Sequence, residues 1–244
     1  MNSYLKLTFH LSLVLTFIGY FFNFRPLVST GYGLVMPILF LLYGFTRNWK
    51  FSNIDIIIYL MCFGGFLSDV FTYANFGDLG ITIQISLSLL NNIIIYYLIR
   101  LEGKLIIYSD KSDLWKFLIP IIPSAFFSIV ITSSTLNKEY VYFSGVFYSI
   151  FTYLFILNAL YLDTNQTYKK LALASVLFRV LSDIFYACVV FLNIENILMS
   201  YASFFFYAYS QFLIVLSILI TQNKHISNSD ENYLIIPSYI KKFL

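Results

Sequence analysis

Residues 171–190 read LALASVLFRVLSDIFYACVV. As a helix rising 1.5 Å per residue, this stretch is about 30 Å long, the thickness of the hydrocarbon core of a bilayer. It nevertheless carries Arg179 and Asp183, and an ionised side chain in hydrocarbon costs at least about 2.5 kcal/mol. The phrase around that aspartate also occurs earlier: GGFLSDVF at 64–71 matches FRVLSDIF at 178–185 in Leu-Ser-Asp, then Val or Ile, then Phe. Two costly acids in matching apolar settings call for a common reason.

The rest of the chain resembles the quoted stretch. Of 244 residues, 59% are hydrophobic and 11% charged, against roughly 25% charged in soluble domains, and the mean hydropathy is +0.79. Apolar runs at about 4–22, 28–45, 54–73, 79–100, 114–133, 140–162, 168–192 and 196–221 each have the length of a membrane crossing. The expected fold is an all-α polytopic transmembrane bundle of about eight spans, forming one membrane domain over 1–222. A polar cytoplasmic tail follows at 223–244. The first run has one lysine and lacks a small-x-small site before Arg25, so it reads as a span and not a cleaved signal.

Lysine and arginine set the expected orientation. Eight spans put both termini on one side, which collects Lys6, Arg47, Lys50, Arg100, Lys104, Lys111, Lys116, Lys169, Lys170, Lys224, Lys241 and Lys242. The other side holds Arg25 and Lys138. Positive residues favour the cytoplasmic face, so both termini are expected there. Asp69 and Asp183 then lie on helices running in the same direction, 114 positions apart (183 − 69), and both sit in the membrane half away from the cytoplasm. This spacing suggests two parallel four-helix halves, 1–110 and 111–222, around a central site.

Chemistry concentrates at the two acids. Arg179 precedes Asp183 by four, one helical turn, within pairing reach, whereas no basic residue neighbours Asp69 in sequence. Two carboxyls in opposed environments can divide the roles of general acid and base. Asn91, Asn92, Tyr209 and Gln211 are further polar residues in the spans, each equally able to bond a neighbouring helix. Two histidines, His10 and His225, and two cysteines, Cys62 and Cys188, are too few and scattered for a zinc site. No metal, cofactor or nucleic-acid partner is expected, and no Ser-His-Asp set can be assembled.

The stretch ASVLFRVLSDIF, followed by YASFFFYAYSQFLIVLS, resembles the last two helices of the YhhN family. FRPLVST at 24–30 is similar to that family's Lys-Pro-Leu segment, with Arg25 in place of lysine. GGFLSDVF takes the place of its first acidic motif, usually Gly-Asp. The resemblance covers nearly the whole chain. It implies eight spans with inside termini and the activity of a lysoplasmalogenase, an ether-lipid hydrolase that cleaves a vinyl ether to a fatty aldehyde and a glycerophospho-alcohol. It also implies a membrane-lipid substrate, with Asp69 and Asp183 as the essential acids. Two departures stand out: helix four lacks the family's frequent histidine, with Asn91 or Asn92 nearest to it, and Arg179 replaces an apolar residue. In this reading Asp69 donates the proton, Asp183 is the carboxylate, and Arg179 tunes Asp183 or meets the lipid phosphate.

Two other readings stand beside it. Midmembrane acids in repeated halves also suit a small-molecule or proton-coupled transporter, although Pro37, Pro120 and Pro123 do not fall at corresponding places in the halves. A protein that kept the fold and lost the activity would also tolerate the missing histidine. The Asn-, Ile- and Lys-rich composition points to an AT-rich bacterial genome, hence to a bacterial inner membrane.

Overall fold

The computed structural model describes residues 3–73, 77–105, 114–135, 139–194 and 196–229. These form α1 (Ser3–Phe21), α2 (Arg25–Thr46), α3 (Asn53–Tyr73), α4 (Gly77–Glu102), α5 (Leu114–Leu118), α6 (Ile121–Thr135), α7 (Glu139–Leu160), α8 (Gln166–Val190) and α9 (Ile197–Ser229). A two-residue ladder accompanies them: β1 (Lys104–Leu105) pairs antiparallel with β2 (Leu162–Asp163), Lys104 opposite Asp163.

Six of the helices are long and apolar enough to cross a membrane, and two shorter apolar helices cover Trp115–Val130 and Gly145–Leu160. Their outward faces are apolar too. On α1, Leu7, Leu11, Val14 and Ile18 are exposed; on α7, Phe143, Phe147, Ile150 and Leu154 are. Helices with both a buried apolar face and an exposed one belong to a bundle solvated by lipid. The chain is a membrane-embedded helical protein.

Local signals explain the boundaries. Pro26 occupies the first turn of α2, where a missing N–H costs nothing. Asn23, Asn48 and Asn193 end the preceding helices with φ of 51–52°, a left-handed conformation asparagine adopts more readily than most residues. The Asn165 side chain caps α8 by accepting from the Thr167 N–H at 2.9 Å. The fifth expected span is broken: α5 ends at Leu118 and α6 begins at Ile121, because Pro120 has no N–H to continue the ladder. The helix α9 continues through the start of the polar tail to Ser229; the remainder, with Lys241 and Lys242, lies outside the described residues, as do Lys111 and Lys138.

The helices pack as sequential hairpins, α1 on α2, α3 on α4, α6 on α7 and α8 on α9. Gly31 lets the first pair close: a Cβ there would stand 1.8 Å from Thr16 Oγ1 and 2.9 Å from the Ser12 carbonyl. Between hairpins, α4 meets α7 and α2 meets α9, while α3 also packs on α2 and α8 on α7. The main core runs through the middle of this bundle, from Phe9 and Met36 to Ile95, Phe155, Val176, Phe204 and Ile218.

Candidate functional site

The two aspartates that the sequence set apart by 114 positions meet in space. Asp69, near the end of α3, and Asp183, near the end of α8, line one cavity with Arg179. Its empty space, counted out into its open mouth, is about 760 Å³. Its walls include Tyr32 of α2, Ser68 of α3, Gln84 and Ser88 of α4, Tyr148 of α7, and Ser203 and Tyr207 of α9. Both acids stand in the last two turns of their helices, so the cavity lies toward one end of the bundle.

Each acid has a tyrosine. The Tyr207 hydroxyl donates to Asp69 Oδ2 at 3.2 Å, and the Tyr148 hydroxyl donates to Asp183 Oδ2. Asn92 steadies the second pair, its Nδ2 donating to the Tyr148 oxygen at 3.1 Å. Arg179 stands between the two carboxyl systems. Its Nε is 3.5 Å from Asp183 Oδ2 without the alignment of a hydrogen bond, and its guanidinium carbon lies over the Tyr207 ring, 5.0 Å from the centroid, a cation–π distance. Among the described residues no cation touches Asp69 directly; Arg179 reaches it through Tyr207.

Exposure separates the acids. Asp183 is 17% exposed, against 3% for Arg179 and 5% for Asp69. The α8 carboxylate therefore faces the cavity, while its cation is sunk in the wall. On the cavity's far side Tyr186 donates to Gln84 Oε1 at 2.6 Å, tying α8 to α4.

The other sequence candidates divide. Asn92 joins the site through Tyr148. Asn91 and Gln211 are buried, and neither Asn91 Oδ1 nor the Gln211 amide atoms find a hydrogen-bond partner. They follow the wall residues Ser88 and Tyr207 by three and four positions, hence about one turn deeper on the same helix faces. Tyr209 is elsewhere, in an aromatic cluster with Phe9, Phe205 and Phe212 and with its hydroxyl 3.5 Å from His10 Nδ1. Arg25 begins α2, exposed and outside the cavity wall.

Sequence reasoning missed Tyr148 and Tyr207. Among 21 tyrosines neither has a local mark, and their partners lie 35 and 138 positions away. It also missed a second buried ion pair, at the α2–α3 turn. Asp55, with no exposed surface, accepts from Arg47 Nε at 2.9 Å, from Tyr43 at 2.6 Å, and from the Ser52 hydroxyl and N–H at 2.6 and 2.9 Å. Burial works against the Arg47 charge, but the bond and charge of Asp55 outweigh it and raise that guanidinium above its ordinary range. The signal was present in Ser52-x-x-Asp55, a capping box.

Among the described residues no group of three or more His, Cys, Asp or Glu could hold a metal ion. No family model, curated protein or solved structure matches the chain.

Proposed function

We propose that the chain is an eight-span membrane hydrolase of the YhhN type that opens the vinyl ether bond of a single-chain ether lipid. The observation that carries this reading is the shared cavity: two carboxyls from separate helices face one space, and one is directly ion-paired while the other is not. A vinyl ether is cleaved when a proton is delivered to its β-carbon, giving an oxocarbenium ion that water captures. Such a step needs a proton donor and an anion to stabilise the cation and direct the water. Asp69, without a direct cation, is the donor. Asp183, paired with Arg179 and turned to the cavity, is the anion. At 3% exposure Arg179 is better placed to tune Asp183 than to meet a lipid phosphate.

The internal repeat has support in the same residues. Ser68 and Ser182, Asp69 and Asp183, Ser88 and Ser203, and Tyr32 and Tyr148 all line the cavity at offsets of 114, 114, 115 and 116. Ser68 meets Ser88 at 3.4 Å across the α3–α4 pair, and Ser203 donates to the Ser182 carbonyl at 3.0 Å across α8–α9. The meeting of α4 with α7 is answered by that of α9 with α2. Counting α5 with α6 as one interrupted span gives two parallel halves, with termini on the lysine-rich side.

The test is aldehyde release from a lysoplasmenyl-ethanolamine or -choline by the purified protein. Release by the wild type, lowered to a small residual rate in folded Asp69→Asn and Asp183→Asn variants, is expected. Absence of release from folded wild type would remove the hydrolase reading in favour of transport or of a fold that has lost its activity. In pH–rate profiles, loss of the alkaline limb in Asp183→Asn alone would reverse the two roles.

A further inference from the structure

The two halves differ at the site in a telling way. At the offset relating the aspartates, Arg179 corresponds to Gly65 (179 − 114), and at the offset relating Ser88 to Ser203, Tyr207 corresponds to Asn92 (207 − 115). The first half therefore brings no guanidinium to Asp69, and even a Cβ added at Gly65 would stand 2.2 Å from Met36 Cε. The second half supplies both the cation beside Asp183 and the ring that carries that cation's other face. Tyr207 belongs to both carboxyl systems: its hydroxyl reaches Asp69 at 3.2 Å and its ring lies under Arg179 at 5.0 Å.

We infer that Tyr207 is a positioning residue: seated by Arg179, it binds one oxygen of the Asp69 carboxyl and so fixes the direction in which the other oxygen presents its proton to the cavity. This assignment rests on the acid-catalysed reading above. A ring stacked against a buried guanidinium has little freedom to turn, so its hydroxyl is held toward Asp69 Oδ2. That leaves the other carboxyl oxygen to carry the transferable proton. Tyr148, the partner of Asp183, is held by Asn92 and also interacts with Arg179, whereas Tyr207 meets Arg179 through its ring face. The remaining titratable groups around Asp69 and Tyr207 are Tyr32 on α2, Cys62 on α3, Tyr148 on α7, and Asp183 and Tyr186 on α8. Among the described cavity-wall residues, α4 contributes Gln84, Ile85 and Ser88 and α6 contributes Phe127, none of which titrates.

Infrared difference spectroscopy of the full chain in detergent tests this without turnover. At neutral pH, subtracting Asp69→Asn from wild type should isolate a protonated carboxyl C=O stretch. Tyr207→Phe keeps the ring and removes only the hydroxyl, so the band should move to higher frequency as its oxygen loses the hydrogen bond. Arg179→Met should shift it in the same direction by less. An Asp69 band unmoved in Tyr207→Phe, or no Asp69-dependent band in wild type, would overturn the inference. Because the spectrum needs no substrate, a failure of aldehyde release would fall on the hydrolase reading and leave the role of Tyr207 to be decided by the band.

Discussion

Among the described residues two arginine–aspartate pairs lie in the interior, Arg47–Asp55 and Arg179–Asp183, and they are dressed in opposite ways. Arg47–Asp55 is saturated. Both carboxylate oxygens are occupied by Arg47, Tyr43 and Ser52 at 2.6–2.9 Å, and no surface of Asp55 is exposed. Arg179–Asp183 is slack: 3.5 Å apart, with an unbonded Nε on one side and 17% exposure on the other. Charge-assisted hydrogen bonds of N–H to carboxylate normally measure about 2.7–2.9 Å. The first pair has spent its bonding capacity on the turn between α2 and α3. The second keeps capacity in reserve and points it at a cavity. A buried ion pair is weak evidence of function by itself; what distinguishes these two is the fraction of donors and acceptors left free.

That contrast can be broken by experiment. Asp55→Ala strands a buried guanidinium, and the expected cost is about 3–5 kcal/mol, read as loss of cooperative melting in detergent. Asp183→Asn should cost less than half as much, because Arg179 keeps its seat on Tyr207 and Asp183 already meets the cavity. Equal destabilisation by the two substitutions would erase the distinction. Ser52→Ala removes one bond to Asp55 together with the cap, and about 1 kcal/mol is expected, with aldehyde release unchanged. A drop in release without a drop in stability would bring the α2–α3 turn into the function.

How much of this was legible in the sequence depended on range. Most helix positions were readable to within a few residues because apolar length is a local property, and Leu-Ser-Asp occurs twice in plain sight. Pro120 was noticed, yet its effect, a break between α5 and α6, depends on the missing N–H and not on hydropathy. Tyr209 and Gln211 were chosen for polarity within a span, but helix rotation decides where a side chain goes. Tyr207, two positions before Tyr209 and about 200° around the helix, reaches the site. Tyr209 packs against α1 instead. The Tyr207–Asp69 bond joins residues 138 positions apart, and no periodicity carries that distance.

The small ladder between β1 and β2 has a mechanical consequence. It clips the segment leaving α4 to the segment entering α8, beyond the helix ends farthest from the cavity walls formed by Gln84–Ser88 and Arg179–Asp183. Tied there, α4 and α8 are joined like the arms of a clothes-peg at its spring. Spreading to admit a bulky guest is then concentrated at the opposite jaws, where both carboxyls sit.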